Sequence, residues 1–82
     1  MVDGVAMMAD VAKEDDICRV IEETEANVGA IDLFCSNAGV AIGESIDSLN
    51  GEWQASWDIN VMSHVYAARH LVPRMVARGG GY

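Results

Sequence analysis

Asn60 has the placement in this chain that most needs a chemical reason. It sits between Ile59 and Val61 in an apolar, helix-like run. An amide there needs hydrogen-bond partners and competes with the backbone for them. Its apolar flanks argue against a residue that simply faces solvent. A second group, Asn37-Ala38-Gly39, closes the apolar run Ile31-Asp32-Leu33-Phe34-Cys35. Small residues there allow close backbone approach by a ligand, and the Asn amide can tie the end of the run to neighbouring backbone. Read alone, the tripeptide is equally an ordinary Asn/Gly turn. The third group, Asp10-Val11, follows the apolar run Val5-Ala6-Met7-Met8-Ala9. Alone, Asp10 is equally a solvated loop carboxylate near a helix N-terminus.

The intervening sequence supplies elements to hold these groups. Residues 5–9 form a short continuous apolar run, as in a strand buried on both faces. After a loop from Asp10 to Lys13, Glu14, Asp15 and Asp16 put carboxylates where a helix N-terminus favours them. Ile17, Val20, Ile21, Thr24 and Val28 follow at helical spacing, and Gly29 is a natural stop. Residues 31–35 read as a second strand. Strand, helix and strand within about thirty residues make a βαβ unit, with a parallel sheet and a right-handed crossover. The class is therefore α/β. Ligands of such sheets bind outside the carboxyl ends of the strands, where Asp10-Val11 and Asn37-Ala38-Gly39 fall.

A polar loop runs from Asn37 to about Ser48. Asn50 is placed to cap a long helix from Glu52 to Arg78. Asn50-Gly51 also suits a hairpin, but its flanks do not alternate like strands. Trp57, Val61, Val65, Ala68, Val72 and Met75 mark one apolar face of the helix, and Met62, Tyr66 and Leu71 widen it. Pro73 is expected to bend the last turns, and Gly79-Gly80-Gly81 to end them.

Composition narrows the function. Eighty-two residues, 51% hydrophobic and 22% charged, suit one small globular domain without repeats. A net charge of −8 without a Lys/Arg cluster opposes binding to nucleic acid or an anionic membrane. No apolar run is long enough to span a bilayer, and Met1-Val2-Asp3-Gly4 does not resemble a signal peptide. Cys18 and Cys35 read as buried thiols of a reducing, cytoplasmic compartment. His64 and His70 lie six residues apart on different helix faces, so no shared metal is expected. Both are placed as partly buried helix residues, and Trp53 and Trp57 read as packing.

Taken together, Asp10-Val11, Asn37-Ala38-Gly39 and Trp53…Asp58-Ile59-Asn60-Val61…Arg69…Pro73-Arg74-Met75 resemble the middle of a short-chain dehydrogenase/reductase. The resemblance covers nearly the whole chain. It implies a partial Rossmann fold over residues 1–82: a β-α-β-α segment of a doubly wound parallel sheet, forming a single, incomplete NAD(P)-binding domain. The two strands then correspond to the third and fourth of the order 3-2-1-4-5-6, and Tyr82 begins the next. The family's glycine-rich loop is expected before Met1, and its catalytic Ser and Tyr-x-x-x-Lys after Tyr82. Tyr66 is followed by His70 rather than Lys and does not fit that motif. Ser36 replaces the commoner first Asn of Asn-Asn-Ala-Gly.

By resemblance, Asp10 accepts from the adenine amino group, Val11 touches the ring, and Asn37, Ala38 and Gly39 line the cofactor. Asn60 takes the catalytic supporting role, kinking its helix and holding a water in the proton relay. The implied activity is hydride transfer between NAD or NADP and a small alcohol or carbonyl substrate, in a homo-oligomer built through helix 52–78. The alternative is a truncated, non-catalytic paralogue that acts through that helix. A flavodoxin-like or receiver domain would not account for all three groups.

Overall fold

The computed structural model describes residues 3–82. Its order is carried by helices. Helix α1 spans Glu14–Asn27, α2 spans Asn50–Trp57, and α3 spans Ser63–Arg78. A π-helical turn at Asp58–Met62 joins α2 to α3, giving the long helix read from the sequence.

Each helix end has a local cause. Glu14, Asp15 and Asp16 occupy the first turn of α1, complementing the positive end of its dipole. Gly79 ends α3 in the left-handed region at φ 93°. The Gly80 amide then bonds the Met75 carbonyl and the Gly79 amide bonds that of Val76, which together make a Schellman cap. Asn50 is the first residue of α2 and its side chain makes no capping bond, so the expected cap is displaced onto Leu49. Helix α3 stays α-helical through Pro73; the irregularity lies at the π turn instead.

The core is the seam between α1 and α3. Ile17 and Ile21 meet Ala67 and Leu71, with Val11, Ile31, Phe34, Tyr66 and Met75 packed around them. This corrects the apolar face expected for the long helix. Its buried stripe is Ser63, Ala67 and Leu71, whereas Trp57, Val65 (39% exposed) and Val72 (49%) face outward. The sequence is apolar on both flanks there, and the small side chains at Ser63 and Ala67 let α1 approach closely.

Ion pairs fix the direction of the seam. Glu14, at the start of α1, bonds Arg69 and His70. Glu25, near its end, meets Arg74 and Arg78. The two helices therefore run the same way, as crossovers on one face of a parallel sheet do.

The expected strands are not formed among the described residues. Backbone groups of residues 5–9 make no backbone–backbone hydrogen bond there; the Met8 carbonyl accepts only from the Arg19 guanidinium, at 2.6 Å. Val5 and Met8 are 70% and 93% exposed. A strand exists through pairing, and nothing among the described residues pairs with this segment. Residues 31–35 pair at one point: the Tyr82 amide donates to the Asp32 carbonyl and the Phe34 amide to the Tyr82 carbonyl. That is the slanted pattern of a parallel pair, and it puts Tyr82 where a next strand would begin. Cys35, expected to be buried, is exposed for the same lack of neighbours, while Cys18 is half-buried. No helix of the described residues is long and apolar enough to cross a membrane.

Candidate functional site

At Asn60, the π turn, the loop and the Asn-Ala-Gly motif converge. The Asn60 side chain pairs with both backbone groups of Val40: Oδ1 accepts from the Val40 amide and Nδ2 donates to its carbonyl, each at 2.8 Å. Nδ2 also donates to Ser56 Oγ at 3.0 Å. The amide is thus spent on a two-bond clamp across the residue after Gly39, which leaves the second lone pair of Oδ1 for a further partner. Gly39 makes the clamp possible. A Cβ at that position would lie 3.2 Å from Asn60 Oδ1, and Asn60 cannot retreat without stretching its bonds to Val40.

The helix widens at the same place. The Ser63 amide bonds the Asp58 carbonyl, five residues back. The Ile59 carbonyl, its regular α-helical partner, is met by the Ser63 hydroxyl at 2.6 Å. Ser63 is buried and the exchange leaves its hydroxyl satisfied. Single π turns of this kind gather at functional sites.

The other two groups meet at a small cavity of about 80 Å³, where Val11 faces Asn37, Ala38 and Ser36. Asp10 turns back on its own loop. Its Oδ1 accepts from the Ala12 amide at 2.9 Å, and its amide donates to Asp16. Its other carboxylate oxygen makes no hydrogen bond among the described residues and remains an acceptor. This set fits one wall of a nucleotide site: an apolar contact, a free carboxylate acceptor and a motif without bulk. The cavity is too small for a whole nucleotide.

Ser36, in place of the family's commoner Asn, hydrogen-bonds His64 Nδ1 and so joins the end of residues 31–35 to α3. His64 and His70 are half-buried and serve different partners, Ser36 and Glu14. No group of three metal-ligating side chains occurs among the described residues. The adjacent Arg69 and His70 pull the Glu14 carboxyl below the ordinary carboxylate range. Arg78, helped by the Ile31 amide and Arg74, does the same for Glu25.

Sequence reasoning missed Ser56 and Ser63, which hold Asn60 and the widened turn. Their signal was polar residues four before and three after Asn60, at the spacing that puts them on its side of the helix.

Comparison with known proteins agrees with this geometry. The family model for short chain dehydrogenases matches residues 2–82. A "CLA biosynthesis dehydrogenase/reductase" of Lactiplantibacillus plantarum is 38% identical over 69 residues, 83% of this chain and 24% of the relative. An oxidoreductase of Bacillus subtilis is 34% identical over 89% of this chain and 28% of its own length. Among solved structures, L-sorbose reductase of Gluconobacter frateurii, complexed with NADPH and L-sorbose, superposes with a TM-score of 0.80 at 39% identity, covering 89% of this chain and 28% of that one. Gluconate 5-dehydrogenase of Burkholderia cenocepacia, in complex with NADP and tartrate, gives 0.78 at 33% identity, covering 88% and 29%. The chain spans about a quarter of the length of the curated relatives it matches. Rossmann-type dehydrogenases are therefore its structural neighbours, although its own described residues pair only at Tyr82. The chain belongs to the short-chain dehydrogenase family.

Proposed function

We propose that residues 1–82 are part of the NAD(P)-binding Rossmann domain of an oxidoreductase that moves hydride between a nicotinamide cofactor and a small alcohol or carbonyl substrate. The observation that carries this reading is the Asn60 clamp on Val40, set in a π turn and closed against Gly39. The relatives crystallised with NADPH and NADP support the cofactor. When bound, the nicotinamide supplies the hydride chemistry and the protein supplies binding, orientation and electrostatics.

Of this chain's residues, Val11 and Ala38 offer the apolar wall. Asp10 offers a carboxylate acceptor to an exocyclic amino group. Asn37 and Gly39 keep the backbone close to the ligand. Asn60 holds the loop after Gly39 in place and offers its remaining lone pair to a water of the proton relay. The outward stripe of Val65 and Val72 on α3 supports a homo-oligomer built through helix 52–78. The net charge of −8 disfavours binding to nucleic acid or an anionic membrane surface, and we place the protein in the cytoplasm.

The test is nicotinamide absorbance at steady state. The full-length protein that carries these residues is mixed with NAD(H) or NADP(H) and a panel of alcohols and ketones. Turnover is expected with one cofactor of the pair. No turnover with either, over the whole panel, would overturn the reading.

A further inference from the structure

A second cleft lies beside the Asn60 clamp, between the loop and α2, with a volume of about 270 Å³. That is just under the 300–1,000 Å³ of drug-sized ligand pockets and suits a small molecule. Glu44, Ser45, Ser48, Trp53 and Ser56 line it around Ile42.

Its hydroxyls share one feature. Ser48 Oγ accepts from the Glu44 and Ser45 amides at 3.0 and 3.2 Å. Ser45 Oγ accepts from the Asp47 amide, and Ser56 Oγ from Asn60. Each oxygen is fixed as an acceptor while its own proton is donated to no partner among the described residues. Three serines that line one cleft thus each keep an O–H free to donate. The loop is shaped to hold them: Gly43 turns at φ 80°, and a Cβ there would stand 2.7 Å from Ser48 Oγ. Trp53 adds a half-exposed indole, a flat apolar face with an N–H at its edge.

Charge selects among the ligands that could use such donors. Glu44 lines the cleft, and Glu52 Oε2 lies 3.3 Å from the Gly43 Cβ position. No Lys or Arg occurs between Arg19 and Arg69. An anionic ligand would meet carboxylates and no counter-charge. A molecule with several hydroxyls can accept from the three serines, donate to Glu44, and lay its C–H face on the indole.

We propose that this cleft binds a neutral polyhydroxylated molecule, an alditol or uncharged ketose, and rejects the corresponding sugar acid. As the place where a substrate is read, the cleft rests on the oxidoreductase reading; as a binding site it does not, and binding is what the experiment measures. Full-length protein labelled with ¹⁵N is titrated separately with D-sorbitol, D-gluconate and 2-propanol. The readouts are the Trp53 indole N–H, assigned by its loss in Trp53→Phe, and the Ser45 and Ser48 amides.

Sorbitol is expected to shift all three resonances saturably in the millimolar range, while gluconate and 2-propanol at the same concentrations do not. Trp53→Ala, followed at the two amides, should weaken sorbitol about tenfold, the scale of one aromatic contact. Glu44→Lys should raise gluconate affinity about tenfold, the scale of one screened charge reversal. Absence of a saturable sorbitol shift, or equal shifts with all three compounds, overturns the proposal. Turnover without sorbitol binding would remove the cleft and leave the oxidoreductase reading intact. Sorbitol binding without turnover would do the reverse.

Discussion

Replacing Asn60 by Ala removes three hydrogen bonds at once, two to Val40 and one to Ser56. A net bond contributes about 0.5–1.5 kcal/mol, so the simple sum is about 1.5–4.5 kcal/mol. Val40 is 40% exposed, so water can replace part of its loss, and about 1–3 kcal/mol of destabilisation is expected. The catalytic effect should be larger than the binding effect. Removing one member of an acid–base relay typically lowers kcat by about 10²–10⁴-fold. Cofactor affinity should move little, because Val11, Asn37 and Ala38 are untouched. The assay pairs steady-state kinetics with cofactor titration of the full-length Asn60→Ala protein, and thermal melts of the same samples give the stability change. An unchanged kcat with lowered stability would reduce Asn60 to a structural clamp. A kcat loss matched by an equal loss of cofactor affinity would show that the loop, and not the relay, was the victim.

Three further outcomes are expected. Glu14 and Glu25 have depressed folded-state values, so their contribution to the α1–α3 seam is present above the ordinary value of 4.5 and is lost as pH falls through the lower folded values. The stability of the seam, followed as the thermal midpoint by circular dichroism, should therefore hold above pH 4.5 and decline below it, and a decline that begins well above 4.5 would contradict the assignment. Ile21→Ala empties a fully buried site and should cost about 2–5 kcal/mol, so a denaturant midpoint unchanged from the parent would deny the seam its role as core. Residues 1–82 expressed alone should melt broadly and self-associate, with helices outlasting the extended segments; a sharp, reversible, monomeric transition by sedimentation and calorimetry would refute this.

How much was readable depended on whether a feature is local. Helix α1 is written in its carboxylates, its spacing of Ile17 and Ile21, and its glycine stop, all within one stretch of sequence. The long helix was legible for the same reason, and Asn60 stood out because a polar residue in an apolar run is conspicuous by itself. The choice of buried face was not legible. Residues 57–75 are apolar on both sides, and only packing against α1 decides that Ala67 and Leu71 go inward while Val65 and Val72 stay out. The strands failed for a related reason: residues 5–9 have strand composition, but pairing is a property of two segments. The Asn60–Val40 connection spans a loop of no regular pattern, so residue spacing could not disclose it. Ser36 looked like a mild departure from the family motif, yet its bond to His64 gives it a tie between loop and helix.

The same distinction explains why the site survives where the sheet does not. The α1–α3 seam, its two carboxylate clamps and the Asn60 clamp are closed entirely by residues of this chain. The carboxyl ends of residues 5–9 and 31–35 are therefore held from the helix side, by Val11 and Phe34 packed on the core and by Ser36 on His64. Among the described residues their edges have only the Tyr82 pair. Compactness reflects this: the radius of gyration is 14.9 Å, against about 12 Å for a closed domain of this length. The chain likewise exposes 6055 Å², where a folded monomer of its size would expose about 4,800 Å². Exposed apolar residues such as Val5, Met8 and Leu33 contribute to it; they are residues of strand composition without a sheet. Positioning in this part of the fold thus comes from the helices. A substitution that loosens the seam should disturb Asn37 and Asn60 together, because Ser63 and Ala67 line the cavity that Asn37 shares.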